Sequence, residues 1–140
     1  MASTILMVED SSDDAELLKA LMRASGINNP LWCVASAGEA IAYLEGKLPF
    51  SDRTRFPLPR IVLLDLKMPG TDGFELLSWI RKRPELSAIL VVVISALDDW
   101  QSIRRAYELG AQSFLPKPCK ADDLAGLVRG FPAFWRSEAP

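Results

Sequence analysis

Five short apolar runs, separated by stretches with helical periodicity, limit what this chain can fold into more than any other feature. The runs span 4–9, 31–35, 60–65, 89–94 and 112–116. Strands of that length alternating with amphipathic segments build βα units, because each crossover helix must bury its apolar face against the strands it joins. The central three are apolar throughout, as strands covered on both faces must be. The last, Gln112-Ser113-Phe114-Leu115, alternates and reads as an edge. Helix patterns fill the gaps at 13–25, 37–46, 73–83, 99–109 and 121–129. Gly26, Gly46, Gly110 and Gly130 are expected to stop four of them, and Pro84 the third. Ser36 with Glu39 forms a capping-box pattern, Asp72 with Glu75 a second, and Asp98 is the expected cap of the fourth helix. Lys120 is a poor cap for the fifth. The expected class is α/β, a doubly wound parallel sheet of five strands flanked by five helices.

Composition narrows the function. The 140 residues fit one domain, with a core at 4–130 and an aromatic tail at 131–140. Sixteen basic and 18 acidic side chains give a net charge of −2, too balanced for a surface that binds nucleic acid by counterion release. The apolar stretch Ala88 to Ile94 falls far short of the ~20 residues of a membrane span. Met1-Ala2-Ser3-Thr4 has no basic region, so the expectation is a cytoplasmic protein without a signal peptide. Cys33 and Cys119 lie far apart and have no metal-ligand spacing; buried or free thiols are the plain reading. The chain has no histidine, which excludes a phosphohistidine carrier, a Ser-His-Asp or Cys-His triad and most zinc sites. The segment Gly46 to Pro59, with three prolines, reads as a long irregular surface connection, either functional or a solvated insertion. The Phe131-Pro-Ala-Phe134-Trp135 tail either docks on its own domain or binds a partner.

The chemistry collects at strand ends. Asp65 closes the apolar run Ile61-Val62-Leu63-Leu64, where a carboxylate is costly to bury. Glu9-Asp10, Ser95 and Lys117 occupy comparable positions, and ligands of open α/β sheets bind beyond the carboxyl ends of the strands. Crowded carboxylates repel, and a divalent cation relieves them. Oxygen donors alone suit magnesium, which binds a few carboxylates at ~2.0–2.1 Å and keeps some waters. Lys117 suits a phosphoryl oxygen, and the Ser95 hydroxyl a second one. The set fits phosphoryl transfer to Asp65, with positioning and charge neutralisation supplying most of the catalysis. Taken singly, each residue has a plainer reading: Glu9-Asp10 as a helix cap, Ser95 as a strand-end residue, Lys117 as a surface lysine, Asp65 as a turn stabiliser. Jointly, at one sheet edge, the plain readings are far less probable. A haloacid-dehalogenase-type phosphatase needs a second acid two residues after its aspartate, where Lys67 stands. A flavodoxin-like electron carrier needs a Ser/Thr/Gly-rich loop where this chain has acidic Glu9-Asp10-Ser11-Ser12-Asp13-Asp14.

The segments Ile5-Leu6-Met7-Val8-Glu9-Asp10, Leu63-Leu64-Asp65-Leu66-Lys67-Met68-Pro69-Gly70-x-Asp72-Gly73, Ile94-Ser95-Ala96 and Gly110-Ala111-x-x-Phe114-Leu115-x-Lys117-Pro118 resemble a receiver domain of the two-component response regulators. The resemblance spans residues 4 to about 130. It implies a flavodoxin-like sheet of order 2-1-3-4-5. It implies Asp65 as the phosphoacceptor of a histidine kinase. Asp10, Asp65 and the backbone carbonyl of Lys67 would bind Mg2+, with Mn2+ as a substitute, and Glu9 would act through water. Ser95 would be the switch hydroxyl, Lys117 the phosphoryl contact and Phe114 the switch aromatic, with Lys117-Pro118 a cis peptide.

Phosphorylation adds a charge of about −1.5 to −2. Ser95 is then expected to move toward the phosphoryl group, Phe114 to rotate, and helix 99–109 to shift, as a population change between pre-existing states. Output is expected through a surface that a partner protein reads. Lys67, a long cation two residues past the acceptor, departs from the commonest pattern and is expected to alter the lifetime of the acyl phosphate. The 46–59 loop and aromatic tail resemble stand-alone regulators that accompany bacterial phytochromes, several of which dimerise through the fourth helix, fifth strand and fifth helix. The competing expectation is a pseudo-receiver, an interaction module that takes no phosphate.

Overall fold

A computed structural model of the chain describes residues 3–68, 71–96 and 99–136. Five parallel strands, β1 (Ile5–Val8), β2 (Leu31–Val34), β3 (Ile61–Leu64), β4 (Leu90–Ser95) and β5 (Ser113–Pro116), form one sheet of order β2-β1-β3-β4-β5. This is the expected order. Five helices follow the strands: α1 (Ser12–Ala24), α2 (Ala37–Glu45), α3 (Gly73–Arg81), α4 (Trp100–Glu108) and α5 (Ala121–Gly130). A two-residue antiparallel ladder, Lys67–Met68 with Thr71–Asp72, stands apart from the sheet.

Strict two-residue alternation divides the core. Leu6, Val8, Val62, Leu64, Val91 and Val93 pack on the side of α2, α3 and α4. Ile5, Met7, Ile61, Leu63, Val92 and Ile94 pack on the side of α1 and α5. All of these are buried, so β1, β3 and β4 carry no polar residue along their paired lengths until Ser95. The registers Ile5↔Ile61 and Met7↔Leu63 align β1 with β3 level at their carboxyl ends.

Several boundaries differ from the sequence reading, each for a local reason. The expected cap Asp98 lies outside the described residues; the Asp99 side chain accepts from Ser102 N and starts α4 at Trp100. Gly130 does not stop α5 but is its last residue, and Phe131 follows as the cap. Pro84 does not directly end α3, which closes at Arg81; the proline opens a short 3-10 turn, Pro84–Leu86. Gly26, Gly46 and Gly110 do take the left-handed backbone expected at helix stops. Lys120 makes no side-chain cap, and Asp123 Oδ2 accepts from its backbone N–H instead (2.8 Å).

The 46–59 segment is not a solvated insertion. Phe56 is buried and packs against Trp32 of the edge strand β2 and against Tyr43 and Phe50, with ring centroids 4.7–6.0 Å apart. The Tyr43 hydroxyl donates to Pro57 O (2.9 Å). Arg53 donates to Leu44 O and Phe56 O and thereby covers the exposed carbonyl end of α2. Residues 131–136 of the tail dock on their own domain. Asn29 Nδ2 donates to Ser3 O (2.7 Å) and Phe134 O (3.0 Å), and its Oδ1 accepts from Arg136 N. Trp135 packs on the α1–α5 side of the core. Both free thiols are confirmed: Cys33 is exposed and Cys119 half-buried.

Since Phe56 sits among aromatic neighbours that cannot collapse onto a void, Phe56→Ala should cost about 3 kcal/mol. A urea midpoint close to that of the unmodified protein would show that the segment is not part of the core.

Candidate functional site

The alternation that builds the core also places the acids. Glu9 continues the Ile5, Met7 series, and Asp65 continues Ile61, Leu63, so both fall just past paired strands on the α1–α5 side. Asp65 N donates to Val8 O (3.1 Å), which extends the β1–β3 ladder one step beyond the strands. Both carboxylates are buried and Asp10 beside them is exposed. Carboxylate oxygens of Glu9, Asp10 and Asp65 all lie within 4.8 Å of one another. That spacing, with oxygen donors only, fits a divalent cation and suits a hard one best.

Lys117, one residue past β5, completes the cluster. Its backbone N–H donates to Ser95 O (3.1 Å), fixing the end of β5 against the end of β4. Its ammonium donates to Asp65 Oδ2 (2.9 Å), to Asp14 Oδ2 (3.0 Å) and to Glu9 Oε1. The Lys117-Pro118 peptide is cis, as expected. Lys67 N donates to Asp65 Oδ1 (3.0 Å) while the Lys67 side chain is exposed. Ser95 is fully buried at the end of β4. It shares the alternation of Val91 and Val93, and Phe114, paired with Val93, packs on that same side of the sheet, half-buried. A groove of about 490 Å³ opens beside the acids, lined by Leu17, Leu18 and Leu21 of α1 and by Ile94, Pro118 and Cys119. The Cys119 thiol is pushed up to about 11, mainly by burial, so it stays protonated near neutrality.

Sequence reasoning missed Asp14. In Ser11-x-x-Asp14 the acid looks like the fourth member of a capping box. The Ser11 hydroxyl does accept from Asp14 N (3.2 Å). The reciprocal bond is absent among the described contacts, because Ser11 N donates to Glu9 Oε2 (3.2 Å). Asp14 is thereby left to reach Lys117. The only available signal was an acid one turn into the helix that follows Glu9-Asp10.

Burial, reinforced by the Asp65 charge, pushes Glu9 up to about 6, although Lys117 and Ser11 N hold it down. Burial opposes the Lys117 charge, but hydrogen bonds to Glu9, Asp65 and Asp14 outweigh it and raise its proton affinity above that of a free lysine. The Glu9 shift carries a sign. Below about pH 4.5, its ordinary value, Glu9 is protonated folded or unfolded. As pH rises through about 6, the folded protein must ionise a buried carboxyl, and stability falls by on the order of 1–2 kcal/mol. Glu9→Gln should therefore leave stability unchanged at pH 4.5 and raise that of the metal-free protein by about that amount at pH 8. Equal effects at the two pH values in urea titrations would refute the assignment.

The chain is similar to known proteins over nearly its whole length. The family model of the response regulator receiver domain matches residues 5–129. Response regulator Rcp1 of Synechocystis sp. is 33% identical over 131 residues, covering 94% of this chain and 87% of Rcp1. The crystal structure of its Mn(2+)-bound form superimposes with a TM-score of 0.76 at 31% identity, over 98% of this chain and 99% of that one. Response regulator RPA3017, in red light signaling of R. palustris, gives a TM-score of 0.83 at 30% identity over 99% and 96% of the two chains. The phosphorylated cyanobacterial phytochrome response regulator RcpA gives 0.79 at 30% identity over 100% and 98%.

Proposed function

From the premise that this chain belongs to the response regulator receiver family of two-component signalling proteins, we propose that Asp65 is its phosphoacceptor and that residues 4–130 act as one receiver unit. The observation that carries this reading is the Lys117 ammonium, bound at once to Asp65 and Glu9 where three carboxylates come within reach of one cation. Asp10, Asp65 and the Lys67 carbonyl would hold Mg2+, or Mn2+ in its place, with Glu9 acting through water. A cation held there would neutralise charge that builds up between the acids and an incoming phosphoryl group. An Asp65 carboxylate oxygen attacks phosphorus of a kinase phosphohistidine, the P–N bond breaks, and its electron pair stays with the imidazole. Lys117 offsets charge on one phosphoryl oxygen and Ser95 donates to another. In the reverse sense water attacks phosphorus, the bond to Asp65 breaks, and orthophosphate leaves the carboxylate restored. The chain is thus a signalling protein that promotes its own phosphorylation and dephosphorylation, not an enzyme with an external product.

The switch runs through the side of the sheet shared by Ser95 and Phe114. Drawing the serine hydroxyl to the phosphoryl group vacates space for the aromatic ring to turn inward, and α4 follows. The surface of α4, β5 and α5 then changes, which suits both a downstream protein and a second copy of the chain. Relatives active in phytochrome and red-light signalling support a bacterial phytochrome as the sensor histidine kinase. Among the described residues no helix is long and apolar enough to cross a membrane, which is consistent with a cytoplasmic site of action. The near balance of charge supports protein rather than nucleic-acid partners.

Incubation with Mg2+ and acetyl phosphate should add the mass of one phosphoryl group, and Asp65→Asn should abolish the gain. An unmodified mass in the parent protein would instead favour a phosphorylation-independent interaction module. Lys67→Ala should change the rate at which the phosphoryl group is lost by a few-fold, since the exposed ammonium lies two residues from the acyl phosphate. An identical decay curve would remove Lys67 from the chemistry.

A further inference from the structure

We propose that Asp14 holds the Lys117 ammonium back from the phosphorylated state. Its carboxylate must release the lysine before the lysine can bind a phosphoryl oxygen on Asp65, so Asp14 sets how firmly the phosphoryl group is held. This rests on Asp65 being the acceptor.

An ammonium has three protons to donate, and here each has a carboxylate: Glu9, Asp65 and Asp14. A fourth acceptor can enter only if one of the three leaves. Glu9 is a poor candidate, since its side chain is only 6% exposed and a buried charge without a partner is costly. Asp65, once one of its oxygens bridges to phosphorus, keeps the other as a carbonyl acceptor for the lysine. Asp14, 45% exposed, can return to water with little loss. It is also free to swing. Ser11 N, the donor that would pin it in a capping box, is taken by Glu9 (3.2 Å). Among the described contacts Lys117 is the one partner of its carboxylate, while its backbone N–H is held by the Ser11 hydroxyl at 3.2 Å. Asp14 is therefore a positioning residue that acts through Lys117. The neighbouring Asp13, in the same first turn, makes no contact with Lys117 among those described and carries the same charge.

Beryllofluoride with Mg2+ serves as the phosphoryl mimic, titrated calorimetrically into the full chain. Asp14→Ala and the nearly isosteric Asp14→Asn should tighten its binding about two- to fivefold, the range expected when a half-exposed ion pair no longer competes. Asp14→Glu, which keeps the charge, should return toward the parent value. Asp13→Ala should change the affinity by less than about 1.5-fold. Unchanged or weaker binding in both Asp14 variants would overturn the proposal. So would an Asp13→Ala effect as large as that of Asp14→Ala, because general charge repulsion would then suffice. A parent protein that binds no beryllofluoride and gains no phosphoryl mass would defeat the functional reading itself, a result distinct from either.

Discussion

One ammonium group binds side chains from three separate parts of the chain at once. Lys117 reaches Glu9 after β1, Asp14 in α1 and Asp65 after β3, separated from it by 108, 103 and 52 residues. Without it, several carboxylates would crowd a largely buried crevice, and each would raise the proton affinity of the others. Burial still pushes Glu9 well above its ordinary value, so the lysine only partly balances the acids. The residual negative charge suits a divalent cation, and under the proposed function such a cation would make an incoming phosphoryl group tolerable.

The sheet supplies the precision. Registers bring the carboxyl ends of β1 and β3 level while β4 runs on to Ser95, and period-two alternation then decides which side each terminal residue faces. Glu9 and Asp65 fall on the α1–α5 side with the groove, whereas Ser95 and Phe114 share the opposite side with α3 and α4. The acid cluster and the Ser95–Phe114 pair therefore start from opposite faces of one sheet. A one-residue slip in β1 or β3 would turn an acid away from the cluster.

Much of this was legible in the residues. Apolar runs gave the five strands, since strands covered on both faces admit no polar residue. The acids at their ends stood out because a carboxylate there has no packing reason to exist. Two things were hidden. Asp14 sat in a pattern that also describes a helix cap, and only the three-dimensional path of the Glu9 carboxylate shows that the cap donor is already taken. The 46–59 segment reads as irregular because its prolines and charges mask Phe50 and Phe56. Their burial depends on Trp32 and Tyr43, which lie on other elements, and no local period records that. The ends of α3 and α5 shifted for a smaller reason: a proline or glycine limits where a helix can stop without fixing the residue at which it does.

The most direct measurement is the stability of a Lys117→Met variant without metal, compared at pH 5 and pH 8. If this ammonium is what lets the acids coexist, its loss should cost about 3–5 kcal/mol at pH 8, where Glu9 must ionise. It should cost markedly less at pH 5, where Glu9 can keep its proton. Added Mg2+ should recover part of the loss. A variant as stable as its parent at both pH values would mean that the lysine merely lies near the acids, and the site described above would have no electrostatic foundation.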